Sequence, residues 1–247
     1  KSSAASDVYK RQDITADNST TYMSFFSQMD TYGDGYAGIG VWRAAFKPLV
    51  DRIADTDIRL QWFCCDRSTG VTDASGKRVT LIRDTKYPVS VEYQTVKFIG
   101  TGRDNIKAGV FSGWELGDYI YLRSEEAYMI KMEALAHKGS ADAITELNSF
   151  MKTRQPDYNY TFTNKADLIE EIIYQKRVEF WGEGLEYIDN RRLNIPVDRT
   201  DETWGAENNN HFSAGKFRYN QEERPFLYQL PLSEIENNSQ LSPTDQN

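Results

Sequence analysis

The sequence predicts a mainly α fold: helical hairpins, with an irregular segment containing short strands packed upon them. Three observations lead there. From residue 121 onward, cap residues, acidic first turns and basic last turns recur at helical intervals. Before that point, residues 13–120 are rich in Gly, Tyr and Asp and show little 3.6-residue periodicity. Small residues then recur at Ala127, Ala134 and Ala143, where two helices of a tight hairpin would cross.

In chain order, KSSAASDVYKRQ (1–12) has neither an initiating Met nor a secretory pattern, and is expected to be a non-native scar. Within 13–120, two runs read as strands: IRLQWFCC (58–65) and VSVEYQTVKFI (89–99), the second alternating after Pro88. The helical segment spans 121–199. Its first helix has Ser124 as cap, Glu125 and Glu126 in the first turn, and His137 and Lys138 before a closing Gly139. Ala127, Ile130, Ala134 and Leu135 line one of its faces. The second helix has Ser140 as cap and Ile144, Leu147 and Met151 at helical spacing. A third runs from an Asn164 cap through Leu168, Ile172 and Ile173 to Phe180, and a fourth from about Leu185 to Leu193. The first pair resembles a tetratricopeptide hairpin, whose period is about 34 residues. Residues 200–247 read as a polar, solvated loop and an extended C-terminal segment with a strand-like start.

Composition narrows the function. The 247 residues carry 29 Lys+Arg against 37 Asp+Glu, a formal charge of −8, which disfavours a nucleic-acid binder. Five Trp, 15 Tyr and 12 Phe supply ample apolar payload for a core, so disorder is not expected for most of the chain. No run reaches the ~18 apolar residues that would span a bilayer. Two histidines, His137 and His211, lie far apart, and the two cysteines, Cys64 and Cys65, are adjacent in an apolar run. Neither a metal centre nor a redox pair is expected from them, and no cofactor is.

The helical grammar carries a family resemblance. LRSEEAYMIKMEALAHKG followed by ADAITELNSFMKTR resembles the C-terminal half of SusD/RagB-type surface lipoproteins, through Arg123, Glu126, Glu133, Ala134, Gly139, Leu147, Asn148 and Arg154. QKRVEFWGEGLEYIDNRRL resembles the family's charged signature through Arg177, Glu179, Glu183, Gly184, Asp189, Arg191 and Arg192. It departs at Gln175 for Glu, Phe180 for Leu and Glu186 for Arg. LPLSEIENNSQL matches the closing motif through Pro231, Glu234, Ile235 and Asn238. TDIRL resembles an Asp-Pro-Arg-Leu turn through Asp57, Arg59 and Leu60, with Ile58 for Pro. Four motifs in the family's order cover residues 57–238.

The resemblance implies a SusD-like fold, an N-terminal half beyond this chain, and a lipoprotein on the outer membrane of Bacteroidetes. It also implies non-catalytic binding of an oligo- or polysaccharide for delivery to a TonB-dependent, SusC-like transporter. A peptide-binding member of the same fold and a glycan-degrading enzyme are the alternatives. The carboxylates themselves argue against the enzyme: Glu179 and Glu183 share a helical face among Arg177, Arg191 and Arg192, and guanidinium neighbours lower a carboxyl pKa.

Sugar binding calls for an exposed ring against the C–H face of a pyranose and polar groups around its hydroxyl rim. MDTYGDGYAGIGVWR supplies Tyr32, Tyr36 and Trp42 on a Gly-rich loop, with Asp30, Asp34 and Arg43 beside them, and Trp114 lies in a second loop. These seven are the expected ligand contacts. Gly33 to Gly38 also spell a dinucleotide-like GxGxxG, but the residues before them are polar, unlike the buried strand that such a site requires. The same stretch falls short of a calcium loop because Tyr32 and Val41 occupy positions that need oxygen ligands.

Overall fold

In the computed structural model, the residues described are 11–12, 25–29, 43–64, 93–95, 97–98, 119–223 and 230–242. The chain is mainly helical and divides into two compact units, Lys1–Glu179 and Phe180–Asn247.

The first unit begins with β1 (Arg11–Gln12), α1 (Phe25–Met29) and α2 (Lys47–Asp51). A 3₁₀ helix, Ile58–Trp62, leads into β2 (Phe63–Cys64), followed by β3 (Gln94–Thr95) and β4 (Tyr119–Ile120). All the strand pairs are antiparallel and two residues long: β1 with β4, and β2 with β3, where Phe63 faces Thr95. Ala44 bridges to Gln94 beside them. Three long helices complete the unit: α3 (Ser124–Lys138), α4 (Asp142–Met151) and α5 (Lys165–Glu179), with α3 packed against both of the others.

The helix ends follow local chemistry closely. Gly139 takes φ +72°, so its N–H reaches the Ala136 carbonyl while Ser140 N–H reaches Leu135, a Schellman closure that a side chain would strain. Before α4 the cap position falls to Ala141, not the expected Ser140, though the Ser140 hydroxyl accepts from Asp142 N–H at 3.2 Å. The Asn164 side chain accepts from Asp167 N–H at 2.9 Å and donates back to the Asp167 carboxylate at 2.7 Å, as expected of a cap.

Three further local expectations are corrected. Ser124 is the first helical residue, not the cap. Arg123 occupies that position in extended backbone, with no capping side chain, because its guanidinium is engaged with Glu179. The face of α3 is also reversed. Met129, Met132 and Ala136 are buried, whereas Ala127 and Ala134 are exposed and Ile130 is 54% exposed. The cause is Glu133, which sits in the buried stripe and pairs with Lys176 of α5 at 3.3 Å, so hydropathy points to the wrong side. Finally, 58–62 is a 3₁₀ turn rather than a strand, since the Asp57 carboxylate accepts from Arg59 N–H at 2.8 Å and winds the chain. Of the strand expected at 89–99, Gln94–Thr95 is formed. Tyr93 beside it has φ +63°, and residues 89–92, 96 and 99 lie outside the described set.

On α5 the expected face holds, and on α4 it holds at Leu147 and Met151 while Ile144 is half-buried. Ala143, Leu147, Met151, Leu168 and Ile172 are all buried, with Ile173 at 6% exposure. Burying such side chains contributes about 1.5–3 kcal/mol each.

The second unit opens with α6 (Leu185–Arg192), entered through Gly184 at φ +85°. β5 (Val197–Asp198) pairs antiparallel with β6 (Arg218–Tyr219), enclosing α7 (Asp201–Trp204) and a 3₁₀ turn, Ser213–Gly215. This span reads as loop in sequence because side-chain hydrogen bonds, rather than apolar periodicity, organise it. Asp198 accepts from Thr200 N–H and hydroxyl (3.0 and 2.7 Å), Thr203 (2.6 Å) and Arg218 (2.8 Å). The expected extended tail instead contains α8 (Leu232–Asn237), with Asn238 bonded back to Glu234 at 3.0 Å.

Candidate functional site

The Asp57 turn anchors a buried charge knot. Arg59, 1% exposed, grips the Asp57 carboxylate through Nη2 at 2.7 Å and donates to Gln175 Oε1 at 2.5 Å. Its Nη1 lies 3.5 Å from Glu179, which is itself 1% exposed. Arg154 donates to both Glu179 oxygens, at 3.2 and 3.1 Å, and Arg123 adds a third guanidinium at 3.1 Å. Burial pushes the Glu179 carboxyl upward, but the Arg154 hydrogen bonds and the charges of Arg154, Arg59 and Arg123 outweigh it and hold it at about 2. A carboxyl so held stays ionised and makes no general acid. The residues that matched the sequence motifs (Asp57, Arg59, Arg123, Arg154, Glu179) therefore converge as scaffold.

Beside this knot lies an open cleft of about 370 Å³, near the small end of ligand-site volumes. Three segments form it. Arg52 to Asp57 follow α2, Gln155 to Tyr160 form the α4–α5 link, and Glu171, Tyr174 and Gln175 lie on one face of α5. The link is fixed by Asn148, whose amide brackets Tyr160: Nδ2 donates to its carbonyl at 3.0 Å and Oδ1 accepts from its N–H at 2.7 Å. The turn is tied to the end of α4 by Ile58 N–H to the Arg154 carbonyl, 2.9 Å.

The cleft is polar. Glu171 accepts from Arg52 (2.5 Å), the Tyr158 hydroxyl (2.8 Å) and Gln175 Nε2 (2.7 Å). Arg52 lies over the Tyr174 ring, 3.9 Å from its centroid, and covers the face a sugar would otherwise use. Burial raises the phenols of Tyr158 and Tyr174, so both remain protonated; Tyr158 donates to Glu171 and Tyr174 to the Leu49 carbonyl. The Tyr160 hydroxyl is buried and has no hydrogen-bond partner among the described residues. A buried hydroxyl in that state costs free energy unless a water or a ligand satisfies it. Asp157, exposed, receives the Thr56 hydroxyl at 2.6 Å; that bond, with one from Gln155, holds its carboxyl below the usual range.

Of the expected ligand contacts, Tyr32, Tyr36, Trp42, Asp30, Asp34 and Trp114 lie outside the described residues. Arg43 is described: it donates to Gln28 of α1, to the carbonyl at 3.1 Å and to Oε1 at 3.2 Å, and does not line the cleft. Sequence reading passed over Arg52, Tyr158, Tyr160 and Glu171. The available signal was QPDYNY, a Pro- and Asp-marked inter-helix link with two Tyr and an Asn. Among the described residues, no group of His, Cys, Asp and Glu is arranged to hold a metal ion, and no helix is long and apolar enough to cross a membrane.

Comparison with known proteins agrees with the motif reading. The SusD family model matches residues 11–247. No curated protein matches the chain. Among solved structures, a SusD-like carbohydrate binding protein from Bacteroides vulgatus ATCC 8482 is similar at 22% identity and a TM-score of 0.62. The match covers 94% of this chain and 47% of that one, so the chain spans about half the length of that relative.

Proposed function

We propose that this chain, which belongs to the SusD family, holds a saccharide without breaking a bond. In this reading it acts at the surface of a bacterial outer membrane as part of a lipoprotein and passes an oligo- or polysaccharide to a TonB-dependent, SusC-like transporter. The observation that supports the reading is the cleft along the α4–α5 link, lined by Gln155, Asp157, Asn159 and Tyr160, the last with a buried hydroxyl unpartnered among the described residues. Hydroxyl-rich ligands satisfy such donors and acceptors as water does, while the buried tyrosines keep the walls rigid. The carboxyls of Asp157 and Glu179 are both held low, which supports binding over glycosidic cleavage. The aromatic loop residues Tyr32, Tyr36, Trp42 and Trp114, with Asp30, Asp34 and Arg43, are proposed as further contacts that stack on and rim the same ligand.

A second reading, peptide capture, is favoured by one feature: the cleft is richer in carboxylates and amides than in open ring faces, Tyr158 and Tyr174 each being 9% exposed. Affinity gels and calorimetry on the full-length gene product, with glycan polymers and with short peptides, separate the two. Tyr160→Phe is expected to weaken saccharide binding roughly three- to tenfold, the worth of one hydrogen bond, with the fold intact. Tyr36→Ala and Trp42→Ala test the loop contacts. Release of reducing ends by pure protein, or binding of peptides alone, would overturn the saccharide reading.

A further inference from the structure

Resting on that saccharide reading, we infer that the cleft selects a sugar bearing a positive charge, a hexosamine with a free amine, and that Asp157 is the residue that reads it. Among the cleft's described charges, three carboxylates (Asp57, Asp157 and Glu171) face one guanidinium, Arg52. Two of the carboxylates are already matched. Asp57 is gripped by Arg59, and Glu171 by Arg52, Tyr158 and Gln175. Asp157 differs. It is anchored by neutral donors, the Thr56 hydroxyl and Gln155, and no cation lies within ion-pair distance of it among the described residues.

A carboxylate held still, ionised and uncompensated at the mouth of a cleft attracts an ammonium group without first rearranging. Arg52 offers little to an anion in return. Its guanidinium is shared between Glu171 at 2.5 Å and Glu170 at 3.8 Å and lies over the Tyr174 ring. A uronate or sulfated sugar would therefore meet net negative charge, the one cation among the described lining residues being Arg52, which Glu171 already holds. Tyr160 lines the same cleft, and its buried hydroxyl has no partner among the described residues.

Calorimetry on the full-length gene product, with equal-length oligomers of glucosamine, N-acetylglucosamine, glucose and a uronic acid, tests the inference. The amine oligomer is expected to bind roughly five- to tenfold tighter than its N-acetylated form and the uronate weakest, the gap shrinking as salt rises. In Asp157→Asn the amine preference should fall to within about twofold, while glucose binding changes little. Thr56→Val, which keeps the charge but frees the carboxylate, should reduce the preference part-way. Equal affinity for amine and acetylated forms, a preference that survives Asp157→Asn, or tightest binding of the uronate would each overturn the inference and leave the saccharide reading standing. Should no saccharide of any kind bind, the reading itself fails.

Discussion

Two carboxylates, Glu179 in the first unit and Asp198 in the second, are each held at about 2, by different means. Glu179 is buried, and three guanidinium groups converge on it from the Asp57 turn, the residue before α3 and the end of α4. Asp198 is half-buried. Burial raises its carboxyl, but the hydroxyls of Thr203 and Thr200, with Thr200 N–H and Arg218, together outweigh it and bring it down. Equal acidity does not mean equal weight. Removing Glu179 takes a shared carboxylate from buried Arg59 and from the half-buried Arg123 and Arg154, whereas every partner of Asp198 lies within about twenty residues and several are exposed.

The sharpest way to break the comparison is Glu179→Ala, expected to cost about 3–5 kcal/mol in chemical denaturation because it leaves buried charge uncompensated. A loss under about 1 kcal/mol would show the knot to be solvated. Core truncation gives a yardstick on α3: Met129→Ala should cost about 2–5 kcal/mol, and Ile130→Ala, on the exposed face, about 0.5 kcal/mol or less. Similar losses at the two positions would restore the face that hydropathy favours.

Acid titration of stability comes next. The Glu179 carboxyl is lower in the folded than in the unfolded chain, so its contribution is fully present above about pH 4.5. It is lost as pH falls toward 2, by an amount on the order of 3 kcal/mol. The pH dependence of melting in that window should flatten in Glu179→Gln. Asp198→Asn is smaller than the Glu179 effect: about 1 kcal/mol, diminishing with added salt, and local to β5–β6 by hydrogen exchange.

The part of the fold legible in the sequence is the part governed by near neighbours. Gly139 closing α3, Asn164 capping α5 and the buried Leu147–Met151 face of α4 each depend on residues within a turn or two, and each was readable. The buried face of α3 was not, because Glu133 pairs inside with Lys176, forty-three residues away. The 3₁₀ turn at 58–62 was hidden for a similar reason: its apolar letters suit a strand, and the Asp57–Arg59 contact overrides them. The candidate site was the least legible. The expected contacts cluster in one Gly-rich loop, whereas the cleft draws on residues near 52, 157 and 173, which no periodicity links.

By itself, then, the sequence determined the mainly helical class, most helix ends and the ordered charged motifs, because caps, turn residues and spacing act over a few bonds. The tertiary structure decided what those motifs do. Charges far apart in the chain become scaffold only when three helices and a turn bring them to one buried point. A hydroxyl such as that of Tyr160 is left without a partner among the described residues only by the way the helices pack around it.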